Sequence, residues 1–188
     1  MIGPPASPNQ VTISVIAALT EAFHAEGGTV DKFIGDSVMV FWNAPHSQPD
    51  HVERACRAAV AAKAASEALN AQFEAEGLPP FAVRLGIHFG DAVVGNVGSA
   101  ERMNYTVLGN SVNLAARLEG LNKEYGTTIL VSEAVRNRVL HCFRFRAIAS
   151  VIAKGMTTET RVYELVEAIA EDAIPARGAP AVQAPGSI

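Results

Sequence analysis

The sequence is short of several things, and each shortage closes off a class of protein. It has two cysteines, Cys56 and Cys142, far apart and without C-x-x-C spacing, so neither a disulfide framework nor a zinc site is expected. Both are expected as reduced thiols. No segment approaches the ~20 apolar residues that a membrane helix needs, and the start "MIGPPASPNQ" lacks the basic region and apolar core of a signal peptide. A cytoplasmic domain is the expectation, with the alternative that it is the cytosolic part of a membrane-anchored parent. There is no excess of positive charge: Lys and Arg number 15, Asp and Glu 19, for a formal net charge of -4. Nothing therefore favours nucleic acid or an anionic membrane as a non-specific partner. An anionic ligand would have to be met by a few local Lys and Arg or by metal ions. No G-x-x-x-x-G-K-[ST] occurs, so glycines 90, 95 and 98 do not make a P-loop. Ser-His-Asp chemistry has no nucleophile-elbow motif to rest on. His24, His46, His51 and His141 show no metal-ligand spacing, and His88 reads as a packed core or rim residue.

What is present suits one globular domain: 188 residues, 49% of them apolar and 18% charged. Val15, Ile16, Leu19 and Phe23 recur at helical spacing, which predicts a helix over Asn9–Glu26 ended by Gly27-Gly28. Thr29–Ile34 and Ser37–Trp42 are β-rich runs around Gly35-Asp36, a hairpin signal. The Ala-rich stretch His51–Glu76 predicts a long helix. Strands are expected at Phe81–His88, within Gly90–Ser99, and at Arg102–Leu108. A helix follows over Ser111–Lys123. A strand at Ile129–Val131, a short helix at Ser132–Val139, and strands at Phe143–Ala153 and Thr160–Leu165 complete the pattern. No internal repeat is visible. Helices alternating irregularly with antiparallel strands argue an α+β fold with helices on one face of a sheet. Residues 1–10 are expected to be loose, 11–168 to form the domain, and the Ala- and Pro-rich residues 169–188 to be a disordered tail.

Three clusters could carry chemistry. Lys32 and Asp36 stand among apolar residues of the hairpin and share strand parity, about 13 Å apart along an extended arm. They are either a solvated hairpin tip or part of a site that reads a long ligand. Gly-Asp is also good turn chemistry in itself. Asn113 and Arg117 lie four apart on the helix after Gly109-Asn110, so they share a face. That face is either merely solvated or, with the free N–H groups of the helix start, suited to a phosphate. Lys154 precedes Gly155 at a strand end, either a plain turn or a cation aimed at an anion.

Taken in order, "GGTVDKFIGDSVMVFWNAP", "RLGIHFGDAVVGNVGS", "MNYTVLGNSVNLAARLEGLN" and "AKG…RVYEL" closely resemble the class III adenylate/guanylate (nucleotidyl) cyclase catalytic domain, most of all the bacterial adenylate cyclases. The resemblance spans Ala17–Val166. It implies a ferredoxin-like α+β fold, an antiparallel-rich sheet with helices packed on it. It implies an adenylate cyclase that converts ATP to 3′,5′-cyclic AMP and pyrophosphate for intracellular signalling. Lys32 then contacts adenine, and Thr106 takes the second base-selecting position; Lys with Thr points to ATP, where guanylate cyclases usually carry Glu and Cys. Asp36 is one of two metal-binding aspartates, with two Mg2+ or Mn2+ ions in the complete site. Asn113 orients the ribose and the reacting centre. Arg117 and Lys154 stabilise the phosphates. The resemblance also implies a head-to-tail dimer with shared sites, Asp36 from one subunit and Asn113 and Arg117 from the other. A homodimer or a homologous cyclase partner is expected, and sensor or regulatory domains are possible upstream.

The pattern departs from the family at its start. The family's first strand, Phe-x-Asp-x-x-Gly-Phe-Thr, carries the other metal aspartate, and it would fall before Met1; no Asp or Glu precedes Glu21. The expectation is a cyclase domain without that strand. The alternative is a cyclase-like module that binds nucleotide or dimerises with a partner cyclase without turnover. Met156, where the family often has a second Lys, is a smaller change.

Overall fold

The computed structural model describes residues 8–99, 101–152 and 159–170. Lys154, the first seven residues and most of the Ala/Pro-rich tail lie outside the described residues. Helix α1, Pro8–Ala25, turns Val11, Val15, Leu19 and Phe23 inward at four-residue spacing. It ends at Gly27-Gly28, where the Gly28 N–H donates to the Phe23 carbonyl at 2.8 Å. Strands β1, Thr29–Ile34, and β2, Ser37–Phe41, follow as an antiparallel hairpin. Gly35 at the turn has φ of 62°, a conformation open to glycine without a Cβ penalty. The hairpin is pinned to α1 by Trp42. Its ring meets Phe23 edge-on at 6.3 Å, and its indole N–H donates to the Glu26 carbonyl at 3.0 Å.

Helix α2, His51–Ala75, serves two cores, and most of its inward residues are small. Ala58, Ala62 and Phe73 pack on α1, while Val52, Cys56 and Ala59 face the main sheet. Beyond it the expected strand Phe81–His88 shrinks to β3, Leu85–Ile87. The backbone of Phe81 is taken instead by a side chain: its N–H donates to Asn70 Oδ1 at 2.8 Å, and its carbonyl accepts from Asn70 Nδ2 at 3.0 Å. Those bonds satisfy the peptide groups that a longer strand would have paired.

Strands β4, Val93–Gly98, and β5, Met103–Leu108, form a second antiparallel hairpin. Helix α3, Asn110–Tyr125, starts one residue before the expected Ser111, with Gly109 at its N-cap. The Ser111 hydroxyl donates to the Asp91 carbonyl at 2.7 Å, tying the helix start to the loop before β4. Then come β6, Ile129–Ser132, α4, Glu133–Val139, β7, Phe143–Ile152, and β8, Glu159–Ala168. The main sheet runs β3-β6-β8-β7, with β3–β6 parallel and the other pairs antiparallel. Strand β6 is buried on both faces, and its alternation shows how: Leu130 packs under α3 with Leu114, Leu118 and Leu121, while Ile129 and Val131 face α2 and α4. Each such fully buried Leu or Ile is worth about 1.5–3 kcal/mol relative to exposure.

The result is the α+β, helix-on-sheet architecture, with helices covering both faces of β6 where one covered face was expected. Among the described residues the strands fall into three hydrogen-bonded groups, the four-stranded sheet and the two hairpins.

Candidate active site

The two hairpins meet at one polar cluster. Lys32 Nζ, on β1, donates to Thr106 Oγ1, on β5, at 3.1 Å. The same Thr106 hydroxyl donates its proton to Asp31 Oδ2 at 2.6 Å, and Asp31 Oδ1 lies 3.7 Å from Lys32 Nζ. Asp31 and Thr106 are interior, with the Asp31 side chain 1% exposed and Thr106 4%, while the Lys32 side chain is 42% exposed. Consecutive strand residues normally point to opposite faces, so Asp31 and Lys32 should not share a partner. A β-bulge permits it. Val30 pairs with Val40 and Lys32 with Met39, which leaves Asp31 as the extra residue. Sequence analysis did not single out Asp31, which strict period-two alternation would put on the face away from Lys32. Only the bulge, invisible in the pattern, brings it in.

From Lys32 onward the ladder is regular to the turn, and Asp36 sits exposed at the tip. Its carboxylate makes no hydrogen bond or ion pair with the described residues. Asn113 and Arg117 project from the exposed face of α3, beside the buried Leu114 and Leu118, and likewise make no side-chain bonds among the described residues. The helix that carries them is held close to β3 by a missing side chain. A Cβ on Gly86 would lie 2.2 Å from the Ala115 carbonyl oxygen and 2.3 Å from the Glu119 nitrogen. Glycine is what lets the α3 backbone sit directly on the strand. The structure thus joins Lys32 to Thr106 and puts Asn113 with Arg117 on one face. Asp36 stands apart from the polar cluster's hydrogen bonds, and Lys154 lies outside the described residues.

Metal donors gather elsewhere. One ligand atom each of Glu53, His141 and Cys142 lie within 4.8 Å of one another, a grouping that spacing along the chain could not show. Glu53 is already paired there with Arg57, which also holds Glu26 at 3.0 Å. Cys56, in the same core cluster as Cys142, is fully buried, and burial, followed by Glu53 and Cys142, pushes its thiol up to about 12. His88 donates or accepts at Ser132 Oγ across 2.8 Å, and burial lowers its pKa below the ordinary histidine range.

The described strands and helices, with a polar cluster between two hairpins and an exposed Asn-Arg helix face, have the cyclase type of α+β fold. Residues 10–167 match the family described as "Adenylate and Guanylate cyclase catalytic domain". "Adenylate cyclase 1" of Rhizobium meliloti (strain 1021) is 46% identical over 159 residues, which make up 81% of this chain and 24% of that protein. This chain therefore spans about a quarter of that relative's length. Among solved structures, the guanylyl cyclase Cya2 superposes with a TM-score of 0.79 at 28% identity, over 90% of this chain and 86% of that one. The adenylyl cyclase CyaB from P. aeruginosa gives 0.68 at 29% identity, over 86% and 84%. The chain belongs to the adenylate and guanylate cyclase catalytic domain family. Among the described residues no helix is long and apolar enough to cross a membrane.

Proposed function

We propose that the chain is the catalytic domain of an adenylate cyclase that makes 3′,5′-cyclic AMP and pyrophosphate from ATP. The observation that carries this reading is the Lys32–Thr106 hydrogen bond. Relatives of both base preferences share the fold, so the base must be chosen by side chains. An ammonium donor beside a hydroxyl acceptor complements adenine, which offers an acceptor at N1 and an amine at N6. It mismatches guanine, whose N1–H and O6 reverse that order.

Cyclisation forms a bond from the ribose O3′ to the α-phosphorus and breaks the bond from that phosphorus to the leaving pyrophosphate oxygen; the proton of the 3′-hydroxyl passes to solvent. Asn113 would hold the ribose. Arg117 and Lys154 would face the phosphates, where positive charge stabilises the transition state. Asp36 offers an exposed carboxylate suited to a hard cation such as Mg2+ or Mn2+. Bound there with the triphosphate, the ion would supply charge neutralisation at the reacting phosphates. Asn113 and Arg117 lie on α3, far in sequence from the β1–β2 tip with Asp36, and the site would close between two head-to-tail copies. Apolar side chains left exposed on the hairpins, Val93 at 71%, Ile34 at 59% and Met103 at 58%, support such an interface.

A second reading has its own support. Among the described residues Asp36 joins no group of three metal donors. A module that binds ATP, or docks on a complete cyclase, without turning over would look the same. The deciding experiment is cyclic AMP production by this chain with ATP and Mn2+, run beside a nucleotide-binding titration. Product supports the enzyme. Binding without product, from this chain and from a parent extended upstream, supports the module.

A further inference from the structure

We propose that Asp31 fixes the direction of the Thr106 hydroxyl and is thereby a positioning residue for base selection. This rests on the reading of Lys32 and Thr106 as the pair that contacts the base.

A threonine hydroxyl has one proton and two lone pairs, so left to itself it can greet a ligand as donor or acceptor. Here its proton is committed. The Asp31 carboxylate, an acceptor only, takes it at 2.6 Å in a site where the Asp31 side chain is 1% exposed. What Thr106 can then offer is lone pairs, one of which now accepts from Lys32 at 3.1 Å. A base edge that takes over this contact meets an acceptor at Thr106 and a donor at Lys32. The acceptor suits the 6-amino group of adenine and opposes a 6-oxo group. Asp31 never touches the base in this arrangement; it acts through Thr106. The bulge is what makes this possible, because it turns Asp31 to the same side as Lys32. The carboxylate also lies 3.7 Å from the Lys32 ammonium, which holds that side chain beside the hydroxyl.

Asp31→Asn tests the direction of the bond. The amide oxygen would face Lys32, the amide N–H would donate to Thr106, and the threonine proton would turn toward the ligand. The measurement is competition of ATP and of inosine triphosphate, its 6-oxo counterpart, against a fluorescent N-methylanthraniloyl-ATP on the full chain with Mn2+. The native chain is expected to prefer ATP. Asp31→Asn is expected to shrink the ATP-to-inosine preference about tenfold, the size of one hydrogen bond turned from mismatch to match. In a Thr106→Val background the same substitution should leave the preference where Thr106→Val put it. A merely structural role would weaken both nucleotides alike, and that result, or an equal effect in the Thr106→Val background, overturns the proposal.

The native chain supplies a test that needs no variant. The triphosphate of unsubstituted purine riboside carries hydrogen at position 6 and keeps the N1 acceptor that inosine replaces with N1–H, so an acceptor-only Thr106 beside the Lys32 donor makes the inosine nucleotide the weaker of the two. Equal or tighter inosine binding overturns the proposal even where Asp31→Asn does not fold. Failure of the underlying reading looks different: Thr106→Val would then leave the ATP-to-inosine ratio untouched, or no nucleotide would bind, and the inference would fall with it. If Thr106→Val changes the ratio and Asp31→Asn does not, only the role of Asp31 fails.

Discussion

Lys32 and Thr106, 74 positions apart, meet at 3.1 Å across two hairpins that share no backbone ladder. Among the described residues, this contact and the Thr106–Asp31 bond beside it are the side-chain hydrogen bonds that join β1 to β5, and they are supported by a tilted ring contact of Phe41 with Tyr105 at 6.2 Å. Two independent hairpins therefore have to be docked correctly for one polar pair to exist. A site assembled in that way should be sensitive to the identity of both partners.

The first prediction concerns base choice. Replacing Lys32→Glu together with Thr106→Cys should erode the preference for ATP over GTP, because the donor-acceptor order facing the base is reversed and then blurred. One mispaired polar group costs about 1–3 kcal/mol, so a change in the ATP-to-GTP ratio of tenfold or more is expected. Competitive nucleotide binding measures it. An unchanged ratio would remove these two residues from the base site.

The second concerns assembly. Asp36→Ala and Asn113→Ala chains, each inactive alone, should regain activity when mixed, because a mixed dimer has one site with both residues intact. Random pairing of equal amounts predicts about one quarter of native activity, from half the dimers carrying one of two sites. The assay requires the parent that is active by itself. No recovery across a range of protein concentrations would argue against a shared site.

The third concerns the seating of α3. Gly86→Ala puts a methyl 2.2 Å from the Ala115 carbonyl oxygen, a backbone atom that cannot swing aside. Overpacking of this kind costs about 1–3 kcal/mol, and more where backbone must move. Urea unfolding should show a lower midpoint with the same slope. Because the displaced helix carries Asn113 and Arg117, the rate should fall further than the loss of folded protein accounts for.

The fourth concerns pH. Burial lowers the His88 pKa in the folded chain, so below the ordinary value of 6.5 the unfolded chain binds more protons than the native one. Stability should be complete above that value, decline as pH falls through it toward the folded-state pKa, and level off once that is passed. His88→Gln should flatten that part of the curve. Denaturation midpoints at pH 5 to 8 (about the range in which histidine titrates) would check it. An unaltered curve would place the acid sensitivity elsewhere.

Much of this chain is legible from local patterns. The helical recurrence of Val15, Ile16, Leu19 and Phe23 predicts α1, and Gly35-Asp36 marks the hairpin turn, because both signals lie within a few residues of the conformation they specify. The same holds for Asn113 and Arg117: helical periodicity alone puts them on one face. The order of motifs identified the family, and the chain's relatives agree.

Other features belong to the tertiary structure alone. Asp31 enters the polar cluster through a bulge, which breaks the period-two alternation of the strand. Phe81 leaves the expected strand because Asn70, on a neighbouring helix, satisfies its backbone more readily than a sheet partner does. Gly86 reads in the sequence as an ordinary strand glycine; its meaning is the α3 backbone lying against it. In each case the deciding atom is distant in sequence. Periodicity and turn chemistry are set by a residue's own neighbours along the chain, whereas a bulge, a borrowed backbone bond and a close approach are settled by which surfaces meet once the elements have packed.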